Sequence, residues 1–343
     1  MKRILITGGA GFIAHHLIDF IISNTDWEVV SLDRLDYSGN LNRLDNILSK
    51  VSNKEKQRIK ILFHDLKSEI NPWIKKEIGE INVILHLAAG SHVDRSIDYP
   101  MEFVMDNVVG TANILEYARF INDSIGLERF VYFSTDEIFG PAPKGVDYKE
   151  NDRYNSTNPY SATKAGAEEL AVAYENTYNL PVFITHTMNV FGERQHPEKF
   201  IPMCIKKIRD GETITVHSDK TKTIPGTRHY IHAKDVAEAL HFLLSNKIIN
   251  EVDYGGAKCP KFNIVGSEEI NNLELANIIA NSQGKELKYE MVDFHSSRPG
   301  HDLRYSLSGE KMKNLGWTPS IKLSDRINEV VDWSLKNPEW IEL

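Results

Sequence analysis
The sequence predicts an α/β fold: a Rossmann-type doubly wound parallel sheet followed by a smaller mixed α/β C-terminal region. Three observations carry the prediction. Short apolar runs alternate with segments of helical period through the first half of the chain, the pattern of βαβ units. A glycine-rich turn, Gly8-Gly9-Ala10-Gly11, separates the first apolar run from the first helical segment. The chain has 343 residues, 41% of them hydrophobic, enough for one large α/β domain and a smaller companion.

Taken in order, residues 3–7 read as a buried strand because Ile4-Leu5-Ile6 is an unbroken apolar run, and 11–23 as the helix after it. Strands follow at 28–32, 59–63 and 83–87, then a long helix at 101–120 and a fifth strand at 129–133. A polar loop leads to a helix at 159–178 and a sixth strand at 182–186. Beyond residue 189 the alternation breaks up. Residues 217–229, rich in Lys, Thr, Ser and Gly, read as a flexible or substrate-ordered loop, with helices at 234–244, 272–281 and 323–335. The expected division is 1–188 and 189–343, the two regions interleaving rather than meeting at a clean linker.

Composition excludes several classes. Acidic residues outnumber basic ones, 48 to 40, for a formal charge of -8, which disfavours a sequence-independent nucleic-acid binder. No apolar run approaches the ~18 residues that suggest a membrane span. Two cysteines, Cys204 and Cys259, make neither a disulfide framework nor a cysteine-rich zinc site, and no metal site is expected. Lys2-Arg3 before Ile4-Leu5-Ile6 imitates a signal peptide, but Gly8-Gly9-Ala10-Gly11 and His15-His16 interrupt the apolar stretch at once. The expected compartment is the cytoplasm.

The loop Thr7-Gly8-Gly9-Ala10-Gly11-Phe12-Ile13-Ala14 carries the first chemistry. Gly8 permits a tight turn, Gly11 lets a pyrophosphate approach the backbone, and the N–H groups at the helix start, Phe12 and Ile13 among them, face the phosphates. Asp33 closes the second strand about 20 residues on, where a carboxylate can hold ribose hydroxyls. Asp33 favours NAD over NADP, although Arg34 beside it can receive a 2′-phosphate. Asp65 and Leu66, at the end of the third strand, read equally as an adenine contact or a solvated strand end.

Tyr160 and Lys164 lie four apart at the start of a predicted helix, so phenol and ammonium share a face. A cation beside a phenol favours the phenolate, as a base that removes a hydroxyl proton during hydride transfer requires. With the glycine loop and the upstream Ser134-Thr135, this pair resembles the extended short-chain dehydrogenase/reductases. A narrower resemblance, to the nucleotide-sugar 4,6-dehydratases, rests on four segments. They are Ser134-Thr135-Asp136-Glu137-Ile138-Phe139-Gly140, Ala88-Ala89-Gly90-Ser91-His92-Val93-Asp94-Arg95-Ser96-Ile97, Pro197-Glu198-Lys199-Phe200-Ile201-Pro202 and Arg298-Pro299-Gly300-His301-Asp302.

That resemblance implies a nucleoside-diphosphate-glucose substrate, dTDP-glucose first and UDP-glucose next, with NAD recycled and a homodimer formed through helices 101–120 and 159–178. It makes Glu137 the base at C5, Asp136 the acid at O6, Thr135 a partner of the sugar near O4 and Tyr160 the group that deprotonates O4. It sets substrate against Ser91, His92, Asn189, Lys199, Arg228, Arg298 and His301, where the arginine forks also suit a pyrophosphate. The acidic pair is chemically apt, because elimination needs one carboxylate as base and one carboxylic acid as proton donor; on its own it reads equally as a solvated loop. The alternatives are a UDP-N-acetylglucosamine dehydratase or a decarboxylase of the same superfamily, and a non-catalytic NAD-binding protein. Gly90 stands where the family has Glu, Phe139 where it has Tyr, and Val190 where it has Asn, all where substrate is expected.

Overall fold
The computed structural model describes residues 2–246, 259–293 and 303–342. Its centre is a seven-stranded sheet. β1 (Arg3–Thr7), β2 (Glu28–Asp33), β3 (Ile59–Phe63), β4 (Val83–His86), β5 (Arg129–Thr135) and β6 (Val182–Thr187) are joined by the strand Lys261–Ile264 in the order Lys261–Ile264, β6, β5, β4, β1, β2, β3. β1 pairs in parallel with β2 and with β4, β2 with β3, and β4 with β5. The strand order reverses between β1 and β4, the switch point at which open α/β sheets bind ligands beyond the strands' carboxyl ends.

The sheet forms because its strands are buried on both faces. Ile4, Leu5 and Ile6 are fully buried, each worth about 1.5–3 kcal/mol of transfer from water. Around Leu5, Ile84, Ile114, Phe130 and Ile184 lies the core of the first compact unit, residues 1–138, 158–186 and 237–262.

The second unit comprises residues 139–157, 187–236 and 263–343. Ile214–Ser218 pairs in parallel with Tyr289–Asp293, and Glu269–Asn271 antiparallel with Thr227–His229. Helices Phe200–Asp210, Asn272–Ser282 and Leu323–Lys336 enclose a core that includes Ile205, Ile214, Leu275 and Ile327.

Three expectations are corrected. The long helix at 101–120 is broken into Pro100–Phe103, a π-helical turn Val104–Val109 and Gly110–Ile125, because Asn107 turns inward to bond Gly90 and Thr163. The loop at 217–229 is ordered by Asp219, whose carboxylate accepts the N–H groups of Thr221, Thr223 and Ile224, and it ends in the strand Thr227–His229. Helices Leu41–Lys50, Pro72–Ile78 and Phe200–Asp210 went unread.

Candidate active site
The phosphate-loop residues gather at the switch point. Gly8 turns with φ of 73°, and a Cβ there would lie 2.9 Å from the Ala88 Cα, so only glycine lets β1 and β4 end side by side. Thr7 Oγ1 accepts the Ala88 N–H at 3.1 Å and lies 2.7 Å from His86 Nδ1, fixing those two strand ends together. Gly11 caps the helix Phe12–Asn24 without bringing a side chain to its first turn. The N–H groups there, with their favourable dipole, fit a pyrophosphate.

Asp33 is nearly buried at the end of β2. Its carboxylate accepts the N–H of Ala10 at 3.0 Å and of Leu35 at 2.8 Å. Burial pushes its pKa up, opposed by those two hydrogen bonds. Arg34 points its guanidinium into three carboxylates: Asp106 at 2.5 and 2.8 Å, Asp36 at 2.6 Å and Asp65 at 3.6 Å. Asp65 also accepts the Lys67 N–H at 3.0 Å, and Leu66 is buried beside it. These residues fit a dinucleotide whose ribose carries free hydroxyls.

The second group stands at the end of β5 and the start of helix Pro159–Tyr178. A short 3-10 turn, Asp136–Phe139, continues β5 and turns Asp136 and Glu137 back beside Thr135. Thr135 Oγ1 donates to Asp136 Oδ1 at 3.1 Å and accepts the Glu137 N–H at 3.4 Å. The Tyr160 phenol stands near the Thr135 side chain and feels the charges of Glu137 and Asp136. Asn158 caps the helix by accepting the Ser161 N–H at 2.8 Å, and its amide donates to Glu137 Oε2 at 3.1 Å. Ser96 Oγ accepts the Tyr160 N–H at 3.1 Å. Thr135, Asp136, Glu137 and Tyr160 are therefore one constellation. Asn158, which sequence reasoning missed, belongs to it; its position before Pro159 announced a helix cap and nothing more.

The electrostatics differ from expectation at Tyr160. Burial, and then the negative charge of Glu137, hold its phenol above the ordinary tyrosine value; the Thr135 side chain opposes them. Lys164 does not produce the expected lowering. Its Nζ donates to the Phe133 carbonyl at 2.7 Å and sits 4.3 Å from the centre of the Tyr132 ring. Burial brings Lys164 down to about 7, against the pull of Glu168.

Among the expected substrate contacts, Ser91 is exposed and His92 caps the helix Val93–Asp98, accepting the Arg95 N–H at 3.4 Å. In the second unit, Asn189 accepts the Ile231 N–H, and Lys199 opens the helix Phe200–Asp210. Arg228 donates to the carbonyls of Thr227 and Leu303, each at 2.7 Å, and lies over the Tyr305 ring. Arg298 and His301 lie outside the described residues.

Comparison with known proteins gives the family. The GDP-mannose 4,6 dehydratase family profile matches residues 5–330. The dTDP-glucose 4,6-dehydratase of Escherichia coli is 33% identical over 98% of this chain and 95% of its own length. A trifunctional UDP-glucose 4,6-dehydratase/epimerase/reductase of Arabidopsis thaliana is 36% identical over 99% of this chain, which spans 48% of that protein. The crystal structure of the dTDP-glucose 4,6-dehydratase of Streptomyces venezuelae, with NAD bound, superposes with a TM-score of 0.85 at 33% identity, covering 99% of each chain. The chain belongs to the GDP-mannose 4,6 dehydratase family of extended short-chain dehydrogenase/reductases and is an NAD-dependent nucleotide-sugar 4,6-dehydratase.

Proposed function
We propose that the substrate is dTDP-glucose, with UDP-glucose second, and that the product is the 4-keto-6-deoxy sugar. The observation that carries this reading is the pairing of Asp136 and Glu137 on one 3-10 turn beside the Tyr160 phenol. A plain dehydrogenase needs only the phenol. Two carboxyl groups in addition suit an elimination, one taking the C5 proton and the other delivering a proton to the departing O6.

In this reading Tyr160 removes the O4 proton while the Thr135 hydroxyl orients that oxygen. The chemistry NAD supplies when bound is hydride acceptance from C4 and its return at C6. Gly8, Gly11, Phe12, Ile13, Asp33, Asp65, Leu66, Tyr160 and Lys164 would hold it. Lys164, anchored by its Nζ on the Phe133 carbonyl at 2.7 Å, would contribute to this set as a contact for the cofactor. Glu137, oriented by the Asn158 amide, takes the C5 proton once C4 is a ketone. Asp136, held by Thr135, protonates O6. In this reading the region 1–188 binds the dinucleotide and the region 189–343 the nucleotide sugar, the latter through Asn189, Lys199, Arg228, Arg298 and His301.

A homodimer through the broken helical segment 101–120 and the helix Pro159–Tyr178 is part of the proposal. Met101, Phe120 and Tyr178, 67%, 49% and 41% exposed, support it. No described helix is long and apolar enough to cross a membrane. A cytoplasmic location is also part of the proposal, and the two buried free thiols, Cys204 and Cys259, support it. Incubation with dTDP-, UDP-, CDP- and GDP-glucose, and with the dTDP and UDP glucuronates, followed by weighing of the products, tests the reading. Loss of water from the dTDP or UDP sugar supports it, loss of carbon dioxide from the corresponding glucuronate would reveal a decarboxylase, and no conversion of any of them would leave only a dinucleotide-binding protein.

A further inference from the structure
A carboxylate at the end of the second strand selects for a free ribose, whereas an arginine beside it can receive a 2′-phosphate. This chain has both, Asp33 and Arg34, in adjacent positions. The contest is settled by a third residue far away in sequence. Asp106 accepts from Arg34 Nη1 at 2.5 Å and from Nη2 at 2.8 Å, the bidentate geometry of a guanidinium fork. Asp36 takes Nε at 3.1 Å and Nη2 at 2.6 Å. Two other cations line the same cavity, and each already has a partner: Lys67 is 3.4 Å from Asp65 and 3.9 Å from Asp106, and Arg95 lies 4.0 Å over the Tyr37 ring and 3.7 Å from Glu102.

Asp106 reaches Arg34 because of the local backbone. It lies in the π-helical turn Val104–Val109, a conformation that sequences rarely adopt without a functional reason. The next residue, Asn107, is buried and bonds Gly90 twice, accepting its N–H at 2.8 Å and donating to its carbonyl at 3.1 Å. Gly90 in turn leaves room for Asp106. A Cβ there would lie 3.4 Å from Asp106 Oδ2 and 3.2 Å from the Phe103 ring, so a longer side chain would compete for the space the carboxylate fills. Arg34, Asp36, Ser38, Asp65, Gly90 and Asp106 all line one cavity of about 600 Å³.

We infer that Asp106 is a cofactor-selectivity residue: by occupying the Arg34 fork it removes the guanidinium that would otherwise receive a 2′-phosphate, and so excludes NADP. Asp36 and Asp65 add like-charge repulsion in the same cavity. Gly90 belongs to the same device, because it admits the carboxylate to Arg34.

The test is direct binding of NAD and NADP, each titrated by calorimetry into the full chain stripped of nucleotide. Asp106→Asn should tighten NADP about tenfold or more and leave NAD within about threefold, the scale of one charge-assisted contact regained. The double variant Asp106→Asn with Arg34→Ala should lose that gain. Arg34→Ala alone should not tighten NADP, because it removes the cation and bares the carboxylates of Asp36, Asp65 and Asp106 to the 2′-phosphate. That arm decides the matter even if Asp106→Asn folds poorly. An unchanged NADP-to-NAD ratio in Asp106→Asn overturns the inference. So does a gain that survives without Arg34, or a gain in NADP binding in Arg34→Ala alone.

Discussion

The Asn158 side chain ties the start of a helix to the end of a strand: its amide donates to Glu137 Oε2 at 3.1 Å while its carbonyl oxygen accepts the Ser161 N–H at 2.8 Å. One residue thus caps the helix that carries Tyr160 and orients the carboxylate beside it. The two roles separate by substitution. Asn158→Ser keeps a good cap but cannot reach Glu137 with an amide, so thermal stability should stay close to wild type while kcat falls about tenfold, the cost of one charge-assisted hydrogen bond. Loss of the cap alone costs about 1 kcal/mol. If kcat follows melting temperature through Asn158→Ser and Asn158→Ala, the contact with Glu137 has no catalytic meaning.

Lys164 gives a pH prediction with a definite sign. Burial lowers its folded value to about 7, whereas an unfolded lysine titrates near ~10.4. Between those two values the unfolded chain binds more protons, so this group makes stability rise with pH across that window. At neutral pH the buried ammonium is a liability that Lys164→Met removes. The stability advantage of Lys164→Met, from urea denaturation, should therefore be largest near pH 7 and shrink toward pH 10. A gap that stays constant between pH 7 and 9 would show that Lys164 is not titrating in this way.

Much of the fold was legible because its signals are local. β3 at Ile59–Phe63 and the helix Pro159–Tyr178 were read to the residue; the helix is bounded by an Asn-Pro start and by Asn179 in the left-handed conformation at its end. What escaped depends on contacts distant in sequence. Nothing local in Val104–Val109 announces a π turn; it is held by Asn107 bonds to Gly90 and Thr163, 17 and 56 residues away. The Arg34–Asp106 pair spans 72 residues. Thr135, Asp136, Glu137 and Tyr160 were legible as motifs, but the raised Tyr160 value was not, because burial is a property of the folded chain.

Asp33 has two duties that a single variant exposes together. Its carboxylate accepts the Ala10 and Leu35 N–H groups, and in the proposed site it also holds the ribose hydroxyls. Protein purified without added nucleotide should carry mainly NAD. Asp33→Ala should lower that occupancy and cost about 1–3 kcal/mol of stability through the stranded N–H groups. Full NAD occupancy in Asp33→Ala, or NADP in the wild-type preparation, would remove Asp33 from the binding site.

In the proposed reading Arg228 holds the substrate pyrophosphate. Its contacts with the carbonyls of Thr227 and Leu303 and with the Tyr305 ring hold the planar guanidinium in one orientation. Arg228→Ala should raise KM by about 10- to 100-fold, the equivalent of about 1.5–3 kcal/mol, and leave kcat less affected. Arg228→Lys should recover part of the loss, since an ammonium keeps the charge but not the fork. A normal KM in Arg228→Ala would place the pyrophosphate elsewhere.

Glu137→Gln separates oxidation from elimination. The amide keeps the size of the carboxylate and can still meet Asn158, but it cannot accept the C5 proton. In the proposed reading oxidation at C4 depends on Tyr160, Thr135 and Lys164, which this change leaves in place. The variant should therefore convert bound substrate to the 4-keto sugar and stop, so that quenching with borodeuteride labels C4 of an unreduced C6 hydroxymethyl sugar. Product formation should fall by about 10²–10⁴-fold, the usual value of a positioned base. Tyr160→Phe should block earlier and give no C4 label. In deuterium oxide the wild type should place deuterium at C5, because the carboxylate exchanges its proton with solvent before that carbon is reprotonated. Wild-type turnover in Glu137→Gln, or an unlabelled C5, would make Asp136-Glu137 an ordinary buried turn and take away the chemical basis for elimination at this site.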